Sequence, residues 1–234
     1  MSTLHFADGV NAADKGLQQA VWKGKCLEVS TALDNGSNPN SRGINGYPLL
    51  IVATYRGHLR VVHVLLDHGA NPGASVVYPS ALEAAIRSGH SRIAYILLKF
   101  GVMPTWRDAN LAALCGRTRL LRTFLKSDLD VNRFEGVGRT ASVTLIMSAA
   151  FAGETTTVQA LAEKGADVNL SNENGWTALL SAASCGHTEM VRLLLSMKAD
   201  ANAADKGGDT PLKMAAQEDH MEIVVLLREA GATG

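Results

Sequence analysis

The apolar positions of this chain fall in short blocks that recur at a fixed interval. The block Thr177-Ala178-Leu179-Leu180-Ser181-Ala182-Ala183-Ser184-Cys185-Gly186-His187 is matched 33 residues later by Thr210-Pro211-Leu212-Lys213-Met214-Ala215-Ala216-Gln217-Glu218-Asp219-His220. The same frame fits Ser80-Ala81-Leu82 through Gly89-His90 and Pro48-Leu49-Leu50 through Gly57-His58. Each block leads into a second apolar run, such as Val61 to Leu66 closing at Gly69-Ala70, or Met190 to Leu195 closing at Lys198-Ala199. The pattern predicts two helices per repeat. Thr210 is a good N-cap, and Pro211 takes the first helical position, where its missing N–H costs nothing. The small pairs Ala182-Ala183 and Ala215-Ala216 let the first helix sit close to its neighbours, and the glycine permits the tight turn between helices. The second helix brings the large aliphatic side chains that fill the space between repeats.

Anchored on that turn, the frame runs through Gly24, Gly57, Gly89, Gly116, Gly153 and Gly186, with Asp219 in the seventh place. These residues resemble the ankyrin repeat, a β-turn and two antiparallel helices in about 33 residues. The resemblance covers nearly the whole chain. It implies an all-α ankyrin-repeat solenoid with β-turn or hairpin fingers, in which each repeat touches only its neighbours. We expect one solenoid over 1–234, with repeats near 8–40, 43–73, 76–101, 103–132, 139–169, 173–202 and 206–234. The first repeat is degenerate, with Lys15 at the usual threonine position. The last is polar at Glu218, Asp219, Glu222, Arg228 and Glu229, and both are expected to act as caps.

The fingers between repeats are uneven. Four of them take 11 or 12 residues from the terminal glycine position to the next threonine position. The finger from Gly101 to Arg107 takes 6 and the one from Asp128 to Thr144 takes 16. The long one contains Arg133-Phe134-Glu135-Gly136-Val137-Gly138-Arg139. Insertions in solenoids map to one face, often the binding face; drift in a tolerant loop is the competing explanation.

Composition narrows the function. Lys and Arg number 22, as do Asp and Glu. A neutral chain is a poor binder of nucleic acid or membrane surface, which call for a basic excess. The three cysteines, Cys26, Cys115 and Cys185, lie far apart and form no CxxC pair, so they read as free thiols in a reducing compartment. Met1 to Val10 shows no signal peptide, and no apolar run reaches the length of a membrane span. The expected setting is the cytoplasm, with the nucleus as the alternative, and the expected state alone is a monomer.

No residue set points to catalysis, a cofactor or a metal. His58, His90, His187 and His220 hold the same place in successive repeats, roughly 10 Å apart, the spacing of packed helices. Zinc ligands must lie about 2 Å from one ion, so these histidines read as helix-cap hydrogen bonders. His63 and His68 do not share a helix face well, and His5 lies in the tail. Gly136-Val137-Gly138-Arg139-Thr140-Ala141 fits the loose GxGxxA dinucleotide pattern, but that motif works only inside a βαβ unit. Cys115 and Cys185 have no base partner in the sequence.

The surface remains. In ankyrin proteins, the resemblance implies, a concave groove is lined by the residue before the threonine and the two before the turn glycine. Here those 21 positions hold Trp22, Tyr47, Tyr55, Trp106, Phe151 and Trp176, six of the twelve aromatics, where chance would place about one. Arg56 and Arg87 occupy groove positions too, and Arg107 lies beside Trp106. Aromatic residues and arginine are the side-chain types enriched at interface hot spots. With Phe134 in the abnormal finger, these ten residues are the candidate partner-binding set. Charge is also uneven: Arg87 to Arg139 holds ten basic and four acidic residues, and Glu154 to Glu229 twelve acidic and six basic. The leading expectation is a non-catalytic module, a scaffold or adaptor, that binds a partner protein along its groove. The alternative is a regulatory, inhibitory or assembly-chaperone subunit of an enzyme or larger complex. The resemblance also raises hydroxylation of finger asparagines, at Asn132 and Asn169.

Overall fold

A computed structural model describes residues 12–43, 46–73, 79–136 and 142–233. His5, the Met1 to Val10 tail and most of the GxGxxA stretch lie outside the described residues. The described chain divides into two compact units, residues 1–108 and 109–234.

The first unit contains three helical hairpins. They are α1 (Ala12–Lys23) with α2 (Cys26–Asp34), α3 (Leu49–Tyr55) with α4 (Leu59–Asp67), and α5 (Ala81–Arg87) with α6 (Ser91–Lys99). Helix α3 packs between α1 and α5, while α4 packs between α2 and α6. The core lies between these rows. Leu17, Val21, Leu49 and Leu82 come from the inner row, and Val29, Val62, Leu65, Ile93 and Leu97 from the outer. Burying each such side chain contributes about 1.5–3 kcal/mol against the entropy of ordering it.

Helix α7 (Trp106–Leu114) crosses the division between the units. The second unit continues with α8 (Thr118–Phe124), α9 (Leu145–Phe151), α10 (Thr155–Ala162), α11 (Ala178–Ser184), α12 (Thr188–Ser196), α13 (Pro211–Gln217) and α14 (Met221–Glu229). Helix α11 lies between α9 and α13, and α12 between α10 and α14. Six consecutive residues of α9, Leu145 to Ala150, are buried, as are six of α11, Ala178 to Ala183. A helix buried all round has partners on every side, and the alanines make that close approach possible.

Four inner helices start on a side-chain cap, including the expected Thr210. Thr144, Thr177, Thr210 and Ser80 each accept a bond from the backbone N–H three residues on, and Pro211 opens α13. The fourth repeat departs from the frame. Its N-cap is Thr105, not a residue at position 107: Thr105 Oγ1 accepts from the Asp108 N–H at 3.3 Å, while Asp108 Oδ2 accepts from the Thr105 N–H at 2.8 Å. This reciprocal capping pair starts α7 two residues early, so Trp106 and Arg107 are the first two residues of the helix. The long finger folds back as a small hairpin, β1 (Glu135–Gly136) antiparallel to β2 (Ser142–Val143).

Finger asparagines join consecutive repeats. Asn169 Nδ2 donates to the Lys198 carbonyl at 3.1 Å and its Oδ1 accepts from the Asp200 N–H at 2.8 Å. Asn132 bridges in the same way to Gly165 and Asp167, Asn202 to Gly231 and Thr233, and Asn40 to Gly69 and Asn71.

The repeated histidines act at the end of the preceding repeat's inner helix rather than at the start of their own helix. Each stands at the N-cap of an outer helix, but none makes a side-chain cap bond. Three reach back instead to the preceding repeat. His58 Nε2 donates to the Trp22 carbonyl at 3.2 Å, His90 to Tyr55 at 3.3 Å, and His187 to Phe151 at 2.9 Å. The rings lie over the turn glycines. A Cβ built on Gly57, whose φ is +75°, would stand 2.6 Å from the His90 ring, and one on Gly186 would stand 2.7 Å from His220. Glycine is required there twice over, by the left-handed backbone and by the imidazole above it.

Candidate partner-binding cleft

In the first unit, α1 and α3 end side by side, and each ends in an aromatic–cation pair, Trp22-Lys23 and Tyr55-Arg56. The backbone at both rings is held by the next repeat through His58 and His90. The third aromatic, Tyr47, precedes α3 on a finger tied at several points. Gly43 N–H donates to the Tyr47 carbonyl at 2.7 Å, Arg42 pairs with Pro48 as an isolated bridge, and Gln18 Nε2 of α1 donates to the Arg42 carbonyl at 2.8 Å.

These elements enclose a cleft of about 380 Å³ lined by Trp22, Tyr47, Ile51, Val52, Tyr55, Arg56 and Pro79. Trp22 is half-buried and forms the floor. The Arg56 guanidinium carbon stands 4.2 Å above the centre of its ring, a cation–π contact worth about 0.5–1 kcal/mol at an exposed site. Tyr55 is 63 % exposed and Tyr47 37 %. Among the described residues, no histidine, cysteine or carboxylate lines the cleft. These side chains offer apolar contact, stacking, and hydrogen bonding from tyrosine and arginine.

Four of the ten candidate residues, Trp22, Tyr47, Tyr55 and Arg56, thus share one site. Pro79 stands at the same frame position as Tyr47 but gives no aromatic signal, and Ile51 and Val52 read as ordinary helix-core residues. The other six candidates are elsewhere. Arg87 is exposed and tied to Glu83, Nη2 to Oε1 at 2.9 Å. Arg107 is exposed on α7. Trp106 is only 4 % exposed, and its Nε1 is buried with no hydrogen-bond partner among the described residues, so its ring is not available to another protein and it leaves the set. In the second unit Phe134 is half-buried beside β1, Phe151 is 58 % exposed, and Trp176 is half-buried with Nε1 donating to Ser181 Oγ at 2.7 Å.

Among the described residues, no three His, Cys, Asp or Glu side chains are grouped as metal ligands would be, and no helix is long and apolar enough to cross a membrane. Residues 17–108 and 145–233 match the family profile described as ankyrin repeats (3 copies). The chain belongs to the ankyrin-repeat family. Ankyrin repeats are generally protein–protein interaction modules and are typically non-catalytic. The fold is similar to the crystal structure of the human ASB11 ankyrin repeat domain, with a TM-score of 0.77 and 24 % identity over 90 % of this chain and 96 % of that one. The ankyrin profile passes over residues 109–144, the stretch that follows the early start of α7 and includes the long hairpin finger.

Proposed function

We propose that this ankyrin-repeat chain is a non-catalytic interaction module that seats a partner protein on the aromatic cleft of its first unit. The observation that carries the reading is the convergence of Trp22, Tyr47 and Tyr55 with Arg56 stacked on Trp22. Exposed rings on a backbone already clamped by the neighbouring repeat lose little freedom on binding, which favours affinity. Aromatic residues and arginine grouped around a pocket are the side chains that dominate interface energetics.

The test is affinity capture with quantitative mass spectrometry, comparing the wild-type chain with a Tyr55→Ala/Arg56→Ala double variant. Specific loss of one or a few captured proteins supports the cleft. Identical capture by both sinks the assignment. Recovery of a single stoichiometric complex would point to the regulatory or assembly subunit, and a broad set to an adaptor.

A further inference from the structure

The ends of the first unit's inner helices all carry a cation, Arg56 being the one that lines the cleft. Of the two residues before each turn glycine in the first unit, one is basic every time. They are Lys23 before Gly24, Arg56 before Gly57, and Arg87 two places before Gly89. None of these six places is acidic, and all three cations are exposed. Among the described residues, only Arg87 of the three has a carboxylate partner, Glu83. The Trp22 face, the surface best suited to a ligand cation, is already covered by Arg56. An incoming ammonium group would meet like charge at the floor of the cleft, whereas a carboxylate would meet an exposed guanidinium edge.

Geometry fixes the spacing of those carboxylates. The inner helices α1, α3 and α5 are packed in sequence, so the backbones that carry these cations stand about 8–10 Å apart, the interaxial distance of packed helices, with the Arg56 side chain reaching toward α1 over Trp22. A polyproline II segment has three residues per turn and about 3.1 Å rise per residue, which returns to the same face every ~9 Å. An extended strand presents one face every second residue, at ~6.6 Å and then ~13 Å, and misses that interval. A helix meets it only at seven-residue spacing, with one anchor per two turns. The walls agree with the first option, because aromatic-lined grooves accept the ridged, pre-ordered polyproline II backbone at low entropic cost.

We infer that the cleft takes a proline-containing segment of a partner protein in polyproline II conformation, with carboxylates at every third residue matched to Lys23, Arg56 and Arg87 and an apolar side chain between them resting among Trp22, Tyr47 and Tyr55. The inference rests on the cleft being the partner site.

The probe is a fluorescein-labelled nonapeptide, three copies of Glu-Pro-Leu, titrated with the full chain and followed by anisotropy. Two controls share its length: an isomer with the three glutamates adjacent, and three copies of Lys-Pro-Leu. The regular acidic peptide is expected to bind at least tenfold more tightly than either control. Arg56→Glu should reduce its affinity at least tenfold, and raising salt should weaken it. Circular dichroism of the variant verifies that the fold is intact, and Arg56→Ala, which adds no charge, should give an intermediate loss. Equal binding of the isomer would refute the spacing. Tighter binding of the lysine peptide would refute the charge assignment and mark the rings as a cation cage. Absence of binding by all three peptides would overturn the inference. If the Tyr55→Ala/Arg56→Ala variant still loses captured protein in that case, the cleft reading stands without it; if capture is unchanged as well, both fail.

Discussion

His187 Nε2 lies 2.9 Å from the carbonyl oxygen of Phe151, 36 residues earlier in the chain. A carbonyl only accepts, so the imidazole proton on this bond sits on Nε2. The same relation ties His58 to Trp22 and His90 to Tyr55. In all three cases the clamped backbone belongs to a residue whose own ring faces solvent wholly or in part. The inter-repeat bond and the presentation of the ring are one arrangement.

This predicts coupled stability effects at Gly153 and His187. Gly153 has φ +73°, and a Cβ added there would stand 3.0 Å from His187 Nδ1. Gly153→Ala should cost about 1–2 kcal/mol from the left-handed backbone alone, with the clash added. His187→Ala should cost about 1 kcal/mol for the lost bond. In the double variant the clash disappears, so its cost should be less than the sum of the two singles. Urea denaturation of the four proteins gives the cycle; strict additivity would show that the ring does not rest on the glycine.

The finger asparagines predict a second stability effect. Asn169 spans two backbone groups of the following repeat, Lys198 O and Asp200 N. Both groups are near solvent, so water replaces part of what is lost. Asn169→Ala should therefore cost about 1–2 kcal/mol, at ~0.5–1.5 per net hydrogen bond. Asn169→Asp keeps the acceptor for the Asp200 N–H but loses the donor to Lys198 O, and should fall between. Thermal melts of the two variants check the order, and equal melting of Asn169→Ala and wild type would contradict it.

How much of this could be read beforehand follows from how local each interaction is. Thr210-Pro211 is legible because cap and first-turn proline are adjacent and act within one turn. The repeat frame is legible because the turn glycine recurs. The start of α7 is not legible from the frame, because counting back from Gly116 puts Arg107 at the threonine position whereas the helix begins at Trp106. The Thr105-x-x-Asp108 capping signature, three residues in span, carried the correct answer. That shift also explains Trp106, counted as a groove residue and found buried in the first turn. The stacking of Arg56 on Trp22 and the reach of His58 to the Trp22 carbonyl join residues 34 and 36 apart. They depend on side-chain direction and on the stacking of repeats, which residue types alone do not carry.

A pH dependence follows from the outer face of the first unit. His68 Nε2 bonds Asp34 Oδ1 at 3.1 Å, and His68 Nδ1 lies 2.8 Å from the Val64 carbonyl. The bond to Asp34 is the main cause raising the His68 pKa above its ordinary 6.5, and the Val64 carbonyl adds to it. A raised folded-state value means that the protonated ring favours the folded form. The stabilisation is fully present below pH 6.5 and is lost as pH rises through the higher folded value. Asp34→Asn should reduce that slope, leaving the smaller part that the Val64 carbonyl and Asp67 maintain. Urea midpoints of wild type and Asp34→Asn across pH 5.5–8.5 should converge toward the alkaline end, and parallel curves would contradict the coupling.

Exposure separates the residues that can report on binding from those that report on folding. Tyr55 and Arg56 are exposed at the ends of helices, away from the core. Tyr55→Ala should leave stability within about 0.5 kcal/mol of wild type, as for surface positions generally, and Arg56→Ala should cost about 0.5–1 kcal/mol, the cation–π contact with Trp22. If they are interface hot spots, each should weaken partner binding by about 2 kcal/mol or more, roughly thirtyfold. Trp106→Ala removes a ring that is 4 % exposed and should cost about 3–5 kcal/mol of stability, the range for large core aromatics. Any loss of binding it causes would then follow from unfolding. Calorimetric titration with the captured partner, run beside denaturant melts of the same three variants, distinguishes the two behaviours. A stable Trp106→Ala variant that fails to bind would return the tryptophan to the interface, and a stable Tyr55→Ala variant with unchanged affinity would remove the tyrosine from it.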